Sequence, residues 1–290
     1  MSKYNIGIIG RGFVGAAVAH GFSASTGYDA EVRVYDKDPS RSSNSLEDVV
    51  TNSDFIFVSV PTPSAKDGTI HLDILNQCIS EINETAKKYK DLENIVLVRS
   101  TVVPGTTRTL QNQYSHLKIV FNPEFLTERS AMFDFINQSR FVLGGEKHLT
   151  DKVASLYRDR FGSAVPIIQT DYESAELIKY VCNTFFATKV SFLNEMKLIS
   201  DKVNANWEDV IMGFLSDGRI GHSHAEVPGP DGKLGFGGSC FPKDIQALIN
   251  FSKTLGVDAN VIKGAWKTNL DVRPEKDWEE LAGRATVSDD

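Results

Sequence analysis

Three cysteines, Cys78, Cys182 and Cys240, are too few and too odd a set for a disulfide framework in 290 residues. Such sparse use fits a reducing compartment. Cationic excess is also missing, since 31 Lys and Arg stand against 38 Asp and Glu, a net charge of −7. That argues against nucleic-acid binding, which needs a basic footprint, but helix N-termini can still take a small anionic ligand. No apolar run approaches the length of a membrane span. The apolar stretch near Met1 is too short for a signal segment and is interrupted by glycine. Repeats and low-complexity tracts are lacking. The remaining composition, 41% hydrophobic and 24% charged, is that of a soluble chain long enough for two domains. A cytoplasmic enzyme is expected, without nucleic acid, membrane or metal.

Short β-rich runs at 5–9, 31–35, 55–60, 95–98, 118–121 and 140–143 alternate with helical patterns near 14–25, 72–89 and 106–114. This order predicts right-handed βαβ units and a doubly wound parallel, Rossmann-type α/β sheet over residues 1–170. Residues 171–290 are predicted to form an all-helical domain. Its centre is a long helix over 174–203, broken once at most, with Leu177, Ile178, Val181, Phe185, Val190, Leu193 and Leu198 at helical spacing. Further helices are predicted at 207–215, 243–254 and 260–270, and 221–238 reads as a Gly- and Pro-rich loop. The polar tail 284–290 is expected to fray.

Gly10-Arg11-Gly12-Phe13-Val14-Gly15 follows the first strand and opens the first helix. Gly10 permits the tight turn, Gly12 lets a pyrophosphate approach the backbone, and Gly15 lets helix and strand pack closely. Asp36 ends the second strand, 21 residues after Gly15. A carboxylate there accepts from a ribose 2′-OH and repels a 2′-phosphate, which favours NAD over NADP. Arg33, Lys37 and Arg41 temper that preference; FAD and a plain glycine turn are the alternatives.

Gly235-Phe236-Gly237-Gly238-Ser239-Cys240-Phe241-Pro242-Lys243-Asp244 frames one thiol. The glycines allow close backbone approach to a ligand, and Pro242 fits the first position of a helix. Cys240 just before that helix, beside Lys243, favours a thiolate. The alternative is a buried free cysteine at a turn. Cys78 and Cys182 lie in helical patterns and are expected in the core. Thr101 ends a strand, where it could position water or substrate, or cap a helix. Glu124 and Glu128 are either an acid/base pair or a solvated face. Lys179 and Asn183 share a helix face that could stabilise an oxyanion or be an exposed polar stripe. Lys189 and Glu195 are expected outside the chemistry.

Gly-x-Gly-Phe-Val-Gly, Ser-Thr-Val-x-Pro-Gly-Thr, Asn-Pro-Glu-Phe-Leu-x-Glu, Ala-Glu-x-x-Lys-Tyr-x-x-Asn, Asp-x-Arg-Ile-Gly and Gly-Phe-Gly-Gly-Ser-Cys-Phe-Pro-Lys-Asp occur here in the order of the UDP-glucose/GDP-mannose dehydrogenase family. The chain resembles that family from Ile6 to about Arg273. The resemblance implies four-electron oxidation of a nucleotide-sugar C6 alcohol to the acid with two NAD, UDP-glucose foremost, and a homodimer. It implies Cys240 as the nucleophile, Lys179 and Asn183 as oxyanion-steadying groups, and Asp244, Thr101 and Glu124 as the group that orients water. By the same resemblance, Gly10, Gly12, Phe13, Val14, Gly15, Asp36, Thr101 and Glu128 bind the cofactor. Substrate contacts are implied at Glu124, Phe125, Leu126, Lys179, Asn183, Phe236 and Gly237, with Arg219 reaching a neighbouring subunit's substrate.

Departures from the family pattern are Arg129-Ser130 in place of the usual glycine and the longer loop 228–232, expected over the sugar. Relatives also carry a third domain over the nucleotide; without it the expected site is open, completed by another chain, or used for a smaller substrate. The alternatives are a two-electron β-hydroxyacid-type dehydrogenase, which needs no cysteine, and an NAD-binding partner subunit without turnover.

Overall fold

A computed structural model describes residues 4–65 and 67–287. Its elements in chain order are β1 (Asn5–Ile9), α1 (Phe13–Gly21), β2 (Glu31–Tyr35), α2 (Leu46–Thr51), β3 (Phe55–Val58), α3 (Asp73–Ala86), β4 (Ile95–Val98) and α4 (Thr106–Gln113). There follow β5 (Ile119–Phe121), α5 (Ala131–Ile136), β6 (Phe141–Gly144), α6 (Lys147–Phe161), β7 (Ile167–Thr170), α7 (Tyr172–Lys202), α8 (Trp207–Leu215), α9 (Phe241–Thr254) and α10 (Asn260–Val272). Two compact units result. One holds the chain to Thr62 with Leu72–Lys179; the other holds Pro63–His71 with the chain from Tyr180. The division falls inside α7 rather than at 170/171, because Tyr172 and Ala175 of its first turns are buried in the sheet's core.

The first unit is a seven-stranded sheet in the order β2-β1-β3-β4-β5-β6-β7. The expected doubly wound architecture is present. Every pairing is parallel except β5 with β6, which is antiparallel at Phe121 opposite Gly144. Strands β3, β4 and β6 are buried along their whole length, and so read as continuous apolar runs rather than alternations. One face packs Ile8, Phe57 and Leu97 against residues of α1, α5 and α6, such as Val18, Phe135 and Tyr157. The other packs Ile56, Val58 and Val98 against residues of α2, α3 and α4, such as Val49, Ile79 and Leu110. The order in which strands are added reverses between β1 and β3, with β2 on one side and β4 onward on the other. In an open α/β sheet such a switch point, at the carboxyl ends of the strands, is where ligands bind.

The second unit has two small cores. Ala187, Val190, Phe236, Ile245 and Ala265 form one; Leu193, Trp207, Ala225 and Val227 form the other. Helix α7 runs 31 residues without the contemplated break. Its apolar residues do not share one buried stripe: Leu193 is buried, while Leu177, Val181, Phe185 and Leu198 are exposed. Cys78 is buried as expected, but Cys182 is only half-buried. The tail departs from the frayed expectation over its described part. Ser64 and Thr286 form a bridge, Ser64 donates its N–H to Ala285 O at 3.0 Å, and Ala285 is buried. Residues 288–290 of that expectation lie outside the described residues. Among the described residues, no helix is long and apolar enough to cross a membrane.

Candidate active site

The glycine motif does what its spacing requires. Gly10 has φ +89°, and a Cβ there would lie 2.7 Å from Ser59 O. A Cβ on Gly15 would lie 2.0 Å from Gly10 O, so only glycine lets α1 sit against the turn. A Cβ on Gly12 would meet nothing within 4 Å, which leaves open space over the loop. Gly12 is the N-cap of α1, with no side-chain cap and no acidic residue in the first turn. Its N–H groups and helix dipole therefore suit a pyrophosphate. Phe13 and Val14 begin the same helix.

Asp36 accepts the Arg11 N–H at 2.6 Å and the Asp38 N–H at 2.9 Å, which places its carboxylate beside the glycine loop. The cations that tempered the NAD preference are engaged elsewhere. Lys37 donates to Gln77 at 3.0 Å, Arg41 pairs with Asp38 at 3.3 Å, and Arg33 pairs with Glu31 and Asp48. These residues fit a dinucleotide with a free 2′-OH.

At the carboxyl end of β4, Thr101 is buried, and its carbonyl accepts the Thr62 hydroxyl at 2.8 Å. It caps no helix: the N-cap of α4 is Gly105. The cap's hydrogen bonds come from a residue that sequence reasoning missed. Glu176 of α7, fully buried, accepts the N–H groups of Gly105 at 2.6 Å and Thr107 at 2.7 Å. Burial pushes its carboxyl up to about 7 despite those bonds. A raised acid binds its proton in the folded chain where the unfolded chain has released it, so this group's stability is lost as pH rises from about 4.5 to about 7. Glu176→Gln is expected to flatten that loss, worth roughly 1.4 kcal/mol per pKa unit. Urea midpoints measured at pH 5 and pH 8 check it, and an unchanged difference between them would refute it.

The two carboxylates of the Asn-Pro-Glu segment part company. Glu124 is buried and accepts the Leu126 N–H at 2.7 Å, whereas Glu128 is exposed. Lys179, also buried, donates to Glu124 Oε1 at 2.8 Å and to its carbonyl at 2.6 Å. Phe125 lies under this ammonium, 5.5 Å from its ring centroid, and Leu126 is buried. Neither Lys179 nor Glu124 is a solvated stripe.

In the second unit, Cys240 is the N-cap of α9. Pro242 falls at the second helical position, because Phe241 takes the first. The thiol lies 3.7 Å from Ser239 Oγ. Buried Asp244 accepts from Asn183 Nδ2 at 2.5 Å and from Lys243 Nζ at 2.5 Å. The Lys243 ammonium expected beside the thiol is thus ion-paired to Asp244, which offsets its charge. Asn183 is buried, not part of an exposed stripe.

Two expected substrate contacts have other work. The Phe236 side chain is buried, and its backbone N–H and C=O are both bound by Asn269, at 2.7 and 3.0 Å. A Cβ on Gly237 would lie 2.6 Å from Arg273 Nη2 and from Asp277 Oδ1. These backbones approach protein groups, so packing by itself already requires glycine at 235 and 237. A Cβ on Gly238 would meet nothing within 4 Å, so only there is the approach open. Arg219 extends from the surface with its side chain 89% exposed, paired with Asp217. Lys189 holds the carbonyls of Gly221 and Ser223. Among the described residues, no group of three or more His, Cys, Asp or Glu could hold a metal ion.

Residues 40–160 match the NAD-binding domain of the UDP-glucose/GDP-mannose dehydrogenase family, and residues 173–271 match its central domain. The chain is 35% identical over 234 residues to the UDP-glucose 6-dehydrogenase TuaD of Bacillus subtilis (strain 168), covering 78% of this chain and 48% of that protein. It spans about half the length of the curated relatives it matches. A UDP-glucose dehydrogenase of the hyperthermophilic archaeon Pyrobaculum islandicum superposes with TM-score 0.79 at 29% identity, over 92% of this chain and 68% of that one. The 3-hydroxyisobutyrate dehydrogenase of Mycobacterium tuberculosis shares the fold, with TM-score 0.73 at 16% identity over 95% of both chains.

Proposed function

Since the chain belongs to the UDP-glucose/GDP-mannose dehydrogenase family and carries its NAD-binding domain, we propose that it oxidises a nucleotide sugar, UDP-glucose foremost, from the C6 alcohol to the uronic acid. The observation that carries this reading is Cys240 as the N-cap of α9, beside the buried Asn183–Asp244–Lys243 cluster. A two-electron alcohol dehydrogenase has no use for such a thiol.

NAD, when bound, supplies the hydride acceptor. Gly12 and the first turn of α1 receive its pyrophosphate, and Asp36 accepts from the ribose 2′-OH. Cys240 as thiolate adds to the C6 aldehyde, forming a carbon–sulfur bond and an oxyanion that takes up a proton. Loss of hydride from that carbon, together with release of the hydroxyl proton, leaves a thioester. Water cleaves the thioester, releasing the acid and returning the thiol. Lys179 and Asn183 supply the N–H groups that steady the oxyanions. Glu124, Asp244 and Thr101 orient the water; Glu128 serves the cofactor side.

The acting species is proposed to be a homodimer. Its support is the exposed apolar face of α7 in the second unit, Val181, Phe185, Phe192 and Ile199, continued by Val203 just past the helix, with the exposed Arg219 proposed to exchange Asp217 for a partner's substrate. Light scattering should find Phe185→Glu monomeric; an unchanged mass would exclude this face.

Absorbance at 340 nm with NAD and a panel of nucleotide sugars tests the reaction. Two NADH per sugar support it. One NADH favours the β-hydroxyacid type of chemistry, and silence with intact NAD binding favours a partner subunit. Asp36→Ala is expected to weaken NAD binding about tenfold, roughly 1.4 kcal/mol, and to narrow the gap to NADP. Calorimetric titration checks this, and an unchanged NAD/NADP ratio would count against the assignment of Asp36.

A further inference from the structure

The run Gly235–Gly238 leads directly to Cys240, and what holds it is not on its own element. Helix α7, helix α10 and the residue that ends α10 grip it through three polar side chains, each at most 2% exposed: Asn194, Asn269 and Arg273. Asn194 Oδ1 accepts the Gly235 N–H at 3.0 Å. Asn269 uses both ends of its amide on one residue, accepting the Phe236 N–H at 2.7 Å and donating to Phe236 O at 3.0 Å. Arg273 donates to Leu234 O at 3.2 Å and to Asp231 Oδ2 at 2.7 Å on the loop, and is anchored by Asp277 through two bonds, at 2.9 and 2.6 Å. The glycines record this grip. A Cβ on Gly235 would lie 2.4 Å from Asn269 Oδ1, and one on Gly237 would strike the Arg273–Asp277 pair. Gly235 also has φ +69° and Gly238 φ +73°, conformations that ordinary residues adopt only under strain.

We propose that Asn269 and Arg273 are positioning residues for Cys240, setting the thiol at the N-terminus of α9 by fixing the backbone from Asp231 to Phe236. The inference rests on the reading of Cys240 as the nucleophile. Its physical basis is the short lever. Three residues, two of them glycines, separate Phe236 from Cys240. Three residues span only a short distance and Gly238 is held at positive φ, so where Phe236 is held limits where the thiol can sit. A buried amide that satisfies a buried N–H and C=O together also has no cheap substitute. Alanine leaves both unpaired, and aspartate keeps only the acceptor.

The test needs no sugar. Alkylation of Cys240 by iodoacetamide, followed by peptide mass analysis against pH, reports its thiolate character and separates it from Cys78 and Cys182. In Asn269→Ala, alkylation of Cys240 at pH 7 should slow at least about fivefold, with the profile moving to higher pH as the thiol leaves the helix N-terminus. Asn269→Asp should fall between the two. With a nucleotide sugar, kcat should drop about tenfold while the KM for the sugar stays within about twofold, the signature of a misplaced reacting group. If Asn269→Ala fails to fold, Asp231→Ala on the exposed loop still breaks one of the grips and should shift alkylation in the same direction, by about threefold. Profiles that superimpose on the parent chain in the folded variants would overturn the proposal, even if melting temperatures fall. Failure of the parent chain to oxidise any nucleotide sugar would instead count against the proposed reaction and leave the alkylation result to stand for itself.

Discussion

Cys240→Ser is expected to lower acid formation by about 10³-fold while dinucleotide binding is unchanged, a loss of the scale seen when a covalent nucleophile is removed. A serine hydroxyl keeps the hydrogen bonds but is not ionised near neutral pH, so the aldehyde has no partner for addition. The yield should fall from two NADH per sugar to one at most, with product held at the aldehyde level. Removing either other thiol should do nothing to turnover. Burial pushes the Cys78 thiol up to about 12, which makes it inert near neutral pH. Mass analysis of the product together with absorbance at 340 nm distinguishes the cases. Full acid yield from the serine variant would remove covalent catalysis from the proposed reaction.

The second large effect is expected at Asp244. Its carboxylate is almost wholly buried, pairs with the buried Lys243 ammonium and accepts from Asn183. Asp244→Asn leaves a buried ammonium without its counter-charge. Breaking one side of such a pair costs about 3–5 kcal/mol, a large fraction of the stability of an ordinary domain. Adding Lys243→Met removes the uncompensated charge and should recover much of that loss, because a buried pair replaced by apolar groups is often neutral. Urea denaturation of the single and double variants measures both numbers. Turnover should be lost in each, since Asp244 is proposed to orient the water. A single variant destabilised by under about 1 kcal/mol would show that the ammonium finds another partner or leaves the interior.

The chain's own residues decided the dinucleotide half of the site. Gly10, Gly12 and Gly15 each have a local steric task, and a turn, an approach and a helix contact are all settled within six residues. The same holds for strands such as β3 and β4, whose continuous apolar runs admit little besides a buried parallel strand. Short or charge-rich elements were not legible. Helices α2 and α5 have six residues each, and α6 places Leu149, Val153 and Leu156 among charges that mask its buried face. Strand β7 is only partly buried and carries a weak apolar signal.

Side-chain partnership belonged to the tertiary structure alone. In sequence, Glu124 and Glu128 are equivalent carboxylates; the fold buries one on Lys179 and exposes the other. Glu176 stands inside the Ala-Glu-x-x-Lys-Tyr-x-x-Asn run, yet nothing in that spacing tells that it caps a helix whose N-cap is 71 residues away. Asn269 and Arg273 show no signal at all, because a residue that binds backbone groups more than thirty positions distant leaves no local spacing to read. Glycine at 235 and 237 was visible, but its cause was not. Sequence establishes that a close approach is needed there, and only the packed helices establish what approaches.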